Sequence, residues 1–204
     1  HMSIGARYTQ YCANIGRTYM VDPTPAQEAT YSAVLAAQEA GLAALVDGAT
    51  CASVYEAVKT ALTNAEGVDG AMLASKLTKN VGTGIGLEFR DMTFVLNAKC
   101  ENIIKAGMTF NLAVGLQGLE EPSAKEGSKS RKYAIMIADS ALVSAGGEKP
   151  TVLTTNAKGV KEISYVTNED DEEEEEDDAN VEIKQGGVIL GAKTRLEQSG
   201  PSSA

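Results

Sequence analysis

Apolar and polar positions alternate at the start of the chain over residues 4–12 and 15–21, with Tyr8, Tyr11, Ile15 and Tyr19 among β-prone neighbours. That period of two predicts a pair of strands, broken by Asp22-Pro23. A helical period follows. Thr24, Pro25 and Gln27 stand as N-cap, first helical residue and capping-box partner. Behind them Tyr31, Val34, Leu35, Leu42 and Leu45 recur on one face, interrupted only by Gln38, until Gly48. A second helix is predicted from a cap near Thr50, with Val54, Val58 and Leu62 at regular spacing and Gly67 beyond its end. A short third helix is predicted over 71–77.

The pattern then returns to extended runs: GTGIGLEF (82–89), TFVLNA (93–98), MTFNLAVGLQ (108–117) and YAIMIADSALVS (133–144), with a polar loop over 120–131. Strands, then helices, then a block of strands predict an α+β fold, a mostly antiparallel sheet with helices on one face. From about residue 156 the apolar content falls. The expected division is a folded domain over 3–155 and an acidic, largely disordered linker over 156–204 that leads toward a further domain.

Charge sharpens this division. The chain of 204 residues carries a net charge of −10, yet ten of its 28 acids form one run, and the remainder equal the 18 Lys and Arg in number. The run is Glu169, Asp170, Asp171, Glu172, Glu173, Glu174, Glu175, Glu176, Asp177 and Asp178. It cannot bury enough surface to offset chain entropy, so disorder is expected, and its charge suits a basic partner.

Candidate chemistry is sparse. His1-Met2 reads as a cloning remnant, which removes the only histidine from acid–base or metal work. Cys12, Cys51 and Cys100 are scattered and odd in number, as expected of reduced core thiols in an intracellular protein. No apolar run approaches a membrane span, and no signal peptide opens the chain. Gly82, Gly84 and Gly86 precede a strand instead of opening a helix, so tight backbone packing is expected there, not a phosphate loop. Glu88, Asp91 and Glu101 have no base partner nearby in sequence and are expected at solvated strand ends.

ARYTQYCANIGRTYMVD, AAQEAGLAAL, GTGIGLEFRD, LNAK, IIKAGMTFNLAVGLQ and YAIMIADSALV, in that order over roughly 3–145, resemble the pita-bread family of aminopeptidase P, prolidase and methionine aminopeptidase. Within it, with the acidic run behind, the chain more closely resembles the peptidase-like domains of the large subunits of FACT, a nuclear histone chaperone. Active family members hold two divalent metals with two aspartates, a histidine and two glutamates. The resemblance puts Ser3, Asn14, Thr83, Ala113 and Ala138 at those five positions, and Arg90 where a second family histidine steadies the tetrahedral intermediate. Neutral oxygens and methyl groups lack the charge that two dications require.

The resemblance therefore implies no catalysis, no metal and no cofactor. It implies the C-terminal part of the pita-bread fold, with further fold elements ahead of Ser3. The implied function is a non-catalytic histone-binding module, nuclear and chromatin-associated. Such a module serves nucleosome reorganisation in transcription, replication and repair. Core histones are the expected partners, the acidic run their docking charge. The smaller FACT subunit is expected to join through regions outside this chain. Neither membrane binding nor sequence-specific nucleic-acid binding is expected. Two other readings stay open: a structural scaffold with a solubilising acidic linker, and a metallopeptidase with unusual ligands.

Overall fold

In the computed structural model of the chain, which describes residues 1–121 and 131–167, the first hairpin turns on Thr9 and Gln10. Both hold positive φ, 43° and 75°, as a two-residue hairpin loop requires. They join β1 (Met2–Tyr8) to β2 (Tyr11–Arg17), paired from Met2↔Arg17 to Tyr8↔Tyr11. The alternation predicts the break at 13–14 instead. Thr-Gln carries none of the Asn-Gly chemistry that announces such a turn, and Asn14 consequently sits inside a strand.

After β3 (Met20–Val21) come α1 (Pro25–Ala44), α2 (Cys51–Thr63) and α3 (Gly70–Ser75). The first cap forms as the sequence predicts. Gln27 N–H donates to Thr24 Oγ1 at 3.3 Å, and Thr24 N–H donates to Gln27 Oε1 at 3.0 Å. Such a cap stabilises a helix by about 1 kcal/mol. The remaining elements are β4 (Gly82–Gly84), β5 (Asp91–Val95), β6 (Thr109–Glu120), β7 (Lys132–Leu142), β8 (Thr151–Val152), α4 (Val160–Ile163) and β9 (Ser164–Tyr165).

The main sheet runs β1-β2-β7-β6-β4-β5, with β8 beside β7, and all its pairings are antiparallel. Alternate residues of β6 and β7, among them Phe110, Leu112, Val114, Ile135 and Ile137, are buried. They pack in one core with Tyr31, Val34 and Ala37 of α1 and Val54, Val58 and Leu62 of α2. Gly41 lets these layers close: a Cβ there would lie 2.7 Å from Val58 and 3.2 Å from Leu112. The intervening residues Asn111 and Ala113 are only half-buried. The helices thus cover one face and leave the other open.

Two expectations change. Of the predicted strand 82–89 only Gly82–Gly84 stays in the sheet. The register shifts between Thr83 and Gly84, and the chain leaves to let Gly86 O accept from Cys12 N–H at 2.7 Å. The folded unit also reaches Thr167, not residue 155. Residues 156–167 place Ile163 in the core with Val160 packed against it, β9 pairs with β3, and the carbonyls of Asn156, Ala157 and Lys158 bond buried side chains. Thr167 also donates twice to Asp22, from its backbone and its hydroxyl, which holds the Asp22 carboxyl below its usual range. The acidic run 169–178 lies outside the described residues.

Candidate functional site

Sheet register brings the five singled-out positions to the open face. Ser3 stands opposite Gly16 and Asn14 opposite Gly5. Gly16 in turn faces Ala138, Ala138 faces Ala113, and Thr83 faces Asn111. Because side chains alternate across a strand, all of these share the face away from the helices.

Their contacts are uncharged. Ser3 Oγ donates to Asn14 Oδ1 at 3.2 Å, and Asn14 Nδ2 donates to Asn111 Oδ1 at 3.4 Å. Asn14 N–H donates to Ser140 Oγ at 2.9 Å, while Ser140 Oγ donates to Asn14 O at 3.0 Å. Beside this ladder Ala138 is fully buried, and a Cβ on Gly16 would come within 3.0 Å of its methyl. The floor of the face is therefore closed by small side chains. Asn111 and Ser140 belong to the cluster, but the sequence does not single them out, because the resemblance assigns neither to a ligand position.

Arg90 is exposed, on the segment between β4 and β5. That segment folds back toward the hairpin: a Cβ on Gly5 would lie 2.8 Å from the Phe89 ring. A groove of about 420 Å³ opens beside it, lined by Gly84, Gly86, Glu88, Asp91, Phe94 and Met108 among others. Glu88 and Glu101 are exposed, and Asp91 accepts from Thr93 N–H at 2.8 Å. Gly82 and Gly84 do pack tightly, as their spacing suggests: a Cβ on Gly82 would meet Asn111 O at 2.1 Å, and one on Gly84 would meet the Asp91 Cβ at 3.2 Å. Gly86 borders open space. Among the described residues no three His, Cys, Asp or Glu side chains gather as a metal cage. No described helix is long and apolar enough to cross a membrane.

The charged cluster of this fold lies on the other face, under the helices. Asp139, adjacent in sequence to Ala138, is fully buried. Its Oδ1 accepts from Arg17 Nη2 at 2.8 Å and Thr154 Oγ1 at 2.7 Å. Its Oδ2 accepts from Gln38 Nε2 at 2.8 Å and Lys158 Nζ at 3.2 Å. Arg17, only 3% exposed, spends its other donors on the carbonyls of Gly16, Ala138, Asn156 and Ala157. Tyr31 donates to Lys158 O at 3.0 Å, and burial pushes its phenol up to about 12, so it stays protonated. Gln38 is the clue visible in the sequence: the polar residue that interrupts the apolar stripe of α1 holds this carboxylate. The cluster fastens residues 154–158 across the sheet and α1, a structural role.

Known proteins resemble the chain at several levels. Metallopeptidase family M24 matches residues 1–145. FACT complex subunit SPT16 of Arabidopsis thaliana is 39% identical over 168 residues, which are 82% of this chain and 15% of that protein. The chain thus spans only a small part of the length of such relatives. Among solved structures, the N-terminal domain of FACT complex subunit SPT16 from chickpea (Cicer arietinum) matches with a TM-score of 0.72 at 35% identity, covering 80% of this chain and 37% of that one. An X-Pro aminopeptidase from Thermotoga maritima matches with a TM-score of 0.63 at 21% identity over 81% of this chain and 40% of its own, a likeness of fold alone.

Proposed function

The chain belongs to metallopeptidase family M24, has its pita-bread fold and is homologous to the N-terminal domain of the FACT subunit SPT16, and from this premise we propose that it is a catalytically silent, histone-binding part of a nuclear histone chaperone. The carrying observation is the uncharged ladder of Ser3, Asn14 and Asn111 beside two alanine methyls. A pair of dications needs anionic donors and an activated water. Ser3, Asn14 and Thr83 offer neutral oxygens, and Ala113 and Ala138 offer none. These residues do not fit the family's metals and support no hydrolytic step.

Homology to SPT16 supports a chromatin role, and the run 169–178 supplies what a histone partner would meet first. Ten adjacent carboxylates attract a basic protein from a distance and raise its association rate. A polyacid alone does not discriminate among basic proteins, so selectivity falls to the folded surface. The rival reading makes the domain a scaffold and the run a solubilising linker.

Replacing residues 169–178 with Gly and Ser separates the two. Core-histone affinity, measured by equilibrium titration across ionic strengths, is expected to fall roughly tenfold or more at low salt and far less at high salt, where exposed charge is screened. Preference for histones over another basic protein should survive the replacement. Unchanged affinity at every salt concentration would establish the linker reading, and complete loss of binding would reduce the folded domain to a carrier.

A further inference from the structure

Residues 48–52 and 100–104 lie side by side. Gly48 N–H donates to Ile104 O at 2.9 Å, Ile104 N–H to Ala49 O at 2.8 Å, Cys51 N–H to Asn102 O at 3.0 Å and Ala52 N–H to Cys100 O at 2.9 Å. Thr50 and Ile103 form an antiparallel bridge within this ladder. Two distant cysteines are thereby brought together, Cys51 as the first residue of α2 and Cys100 on the segment after β5. Their thiols lie close enough to influence each other, the Cys100 thiol helping to raise that of Cys51. Cys51 is fully buried, whereas Cys100 is half-buried, with its Sγ 3.8 Å from Thr93 O. The third cysteine, Cys12, belongs to β2.

We propose that Cys51 and Cys100 are a paired thiol-modification site, which low-molecular-weight disulfides convert to an intramolecular disulfide that fastens the start of α2 to the segment after β5. The inference is independent of histone binding. Four backbone hydrogen bonds hold the two segments side by side and so keep the two cysteines near one another.

The order of events follows from access. Burial and the neighbouring thiol push Cys51 up to about 12, so it is the poorer first nucleophile. Cys100, as thiolate, attacks one sulfur of the small disulfide. One small thiolate leaves, and a mixed disulfide forms on Cys100. Cys51, losing its proton to solvent, then attacks Cys100 Sγ and expels the second small thiolate. Two protein thiols are oxidised by two electrons, one small disulfide is reduced to two thiols, and the two protein protons balance the two thiolates released. In a reducing compartment the pair rests as dithiol and closes only under oxidising challenge.

The test exposes the folded full chain, as wild type and as Cys12→Ser, to oxidised glutathione, then blocks free thiols and maps peptides by mass spectrometry. The expected result is one peptide pair joined through Cys51 and Cys100, about 2 Da lighter than its two thiol forms together, and reopened by dithiothreitol. Cys51→Ser should stop at glutathione held on Cys100. Should that variant fail to fold, Cys100→Ser serves instead and should leave the buried Cys51 unmodified. A wild-type chain that keeps glutathione on Cys100 with Cys51 still a free thiol would overturn the proposal. So would a chain in which neither thiol reacts.

Discussion

Replacing Asp139 with alanine is expected to lower folding stability by about 3–5 kcal/mol, the usual cost of stranding one partner of a buried ion pair. Among the described residues Asp139 is the carboxylate bonded to Arg17, and both are almost wholly buried. Without it the guanidinium keeps its carbonyl acceptors but has no counter-charge, and Gln38 and Thr154 lose their acceptor as well. Lys158 is different: its side chain is 25% exposed and can turn to water. Lys158→Met is therefore expected to cost about 1 kcal/mol or less. Urea unfolding reads both, as shifts in midpoint at constant slope. The double change Asp139→Leu with Arg17→Met should cost less than the two single changes together, since no buried charge is left alone. A loss under about 1 kcal/mol for Asp139→Ala would show that the cluster does not hold residues 154–158.

Gly82→Ala is expected to cost roughly 2–5 kcal/mol, from backbone strain and overpacking combined. Gly82 holds φ +146°, and an added Cβ would stand 2.1 Å from Asn111 O. That oxygen belongs to β6, which is paired on both sides, so the backbone cannot withdraw without breaking the sheet. Gly86 belongs to the same GxGxG run yet has nothing within 4 Å of its ideal Cβ. Gly86→Ala should consequently stay within about 0.5 kcal/mol of the parent. Equal effects at the two positions would remove the packing explanation for this motif.

The helices are the most legible part of the chain. Thr24, Pro25 and Gln27 mark a start by local hydrogen bonding, which needs no knowledge of the rest of the fold. The first hairpin is less legible, because Thr9 and Gln10 take positive φ with no turn chemistry to show it. Residues 156–167 read as a linker because they are poor in apolar side chains. What fastens them is Ile163, buried in the core, together with backbone carbonyls that satisfy Arg17 and Tyr31. Asp139 is hidden for a related reason. In IMIADSALV the period of two sets it on the face of Ile135 and Ile137, but nothing local shows the Arg17, Gln38 and Thr154 side chains that hold it. The candidate site is legible through family resemblance alone. Ser3, Asn14, Thr83, Ala113 and Ala138 have no common period, and only strand register puts them on one face.

The proposal that this fold no longer carries its family's chemistry is tested most directly by metal content. The full chain is dialysed against manganese, cobalt or zinc and then against metal-free buffer. Bound metal is measured by elemental analysis, with peptide hydrolysis followed on the same samples. If Ser3, Asn14, Thr83, Ala113 and Ala138 stand at the ligand positions, as proposed, no stoichiometric metal and no hydrolysis above buffer are expected. Two tightly held ions per chain, accompanied by peptide cleavage, would contradict it.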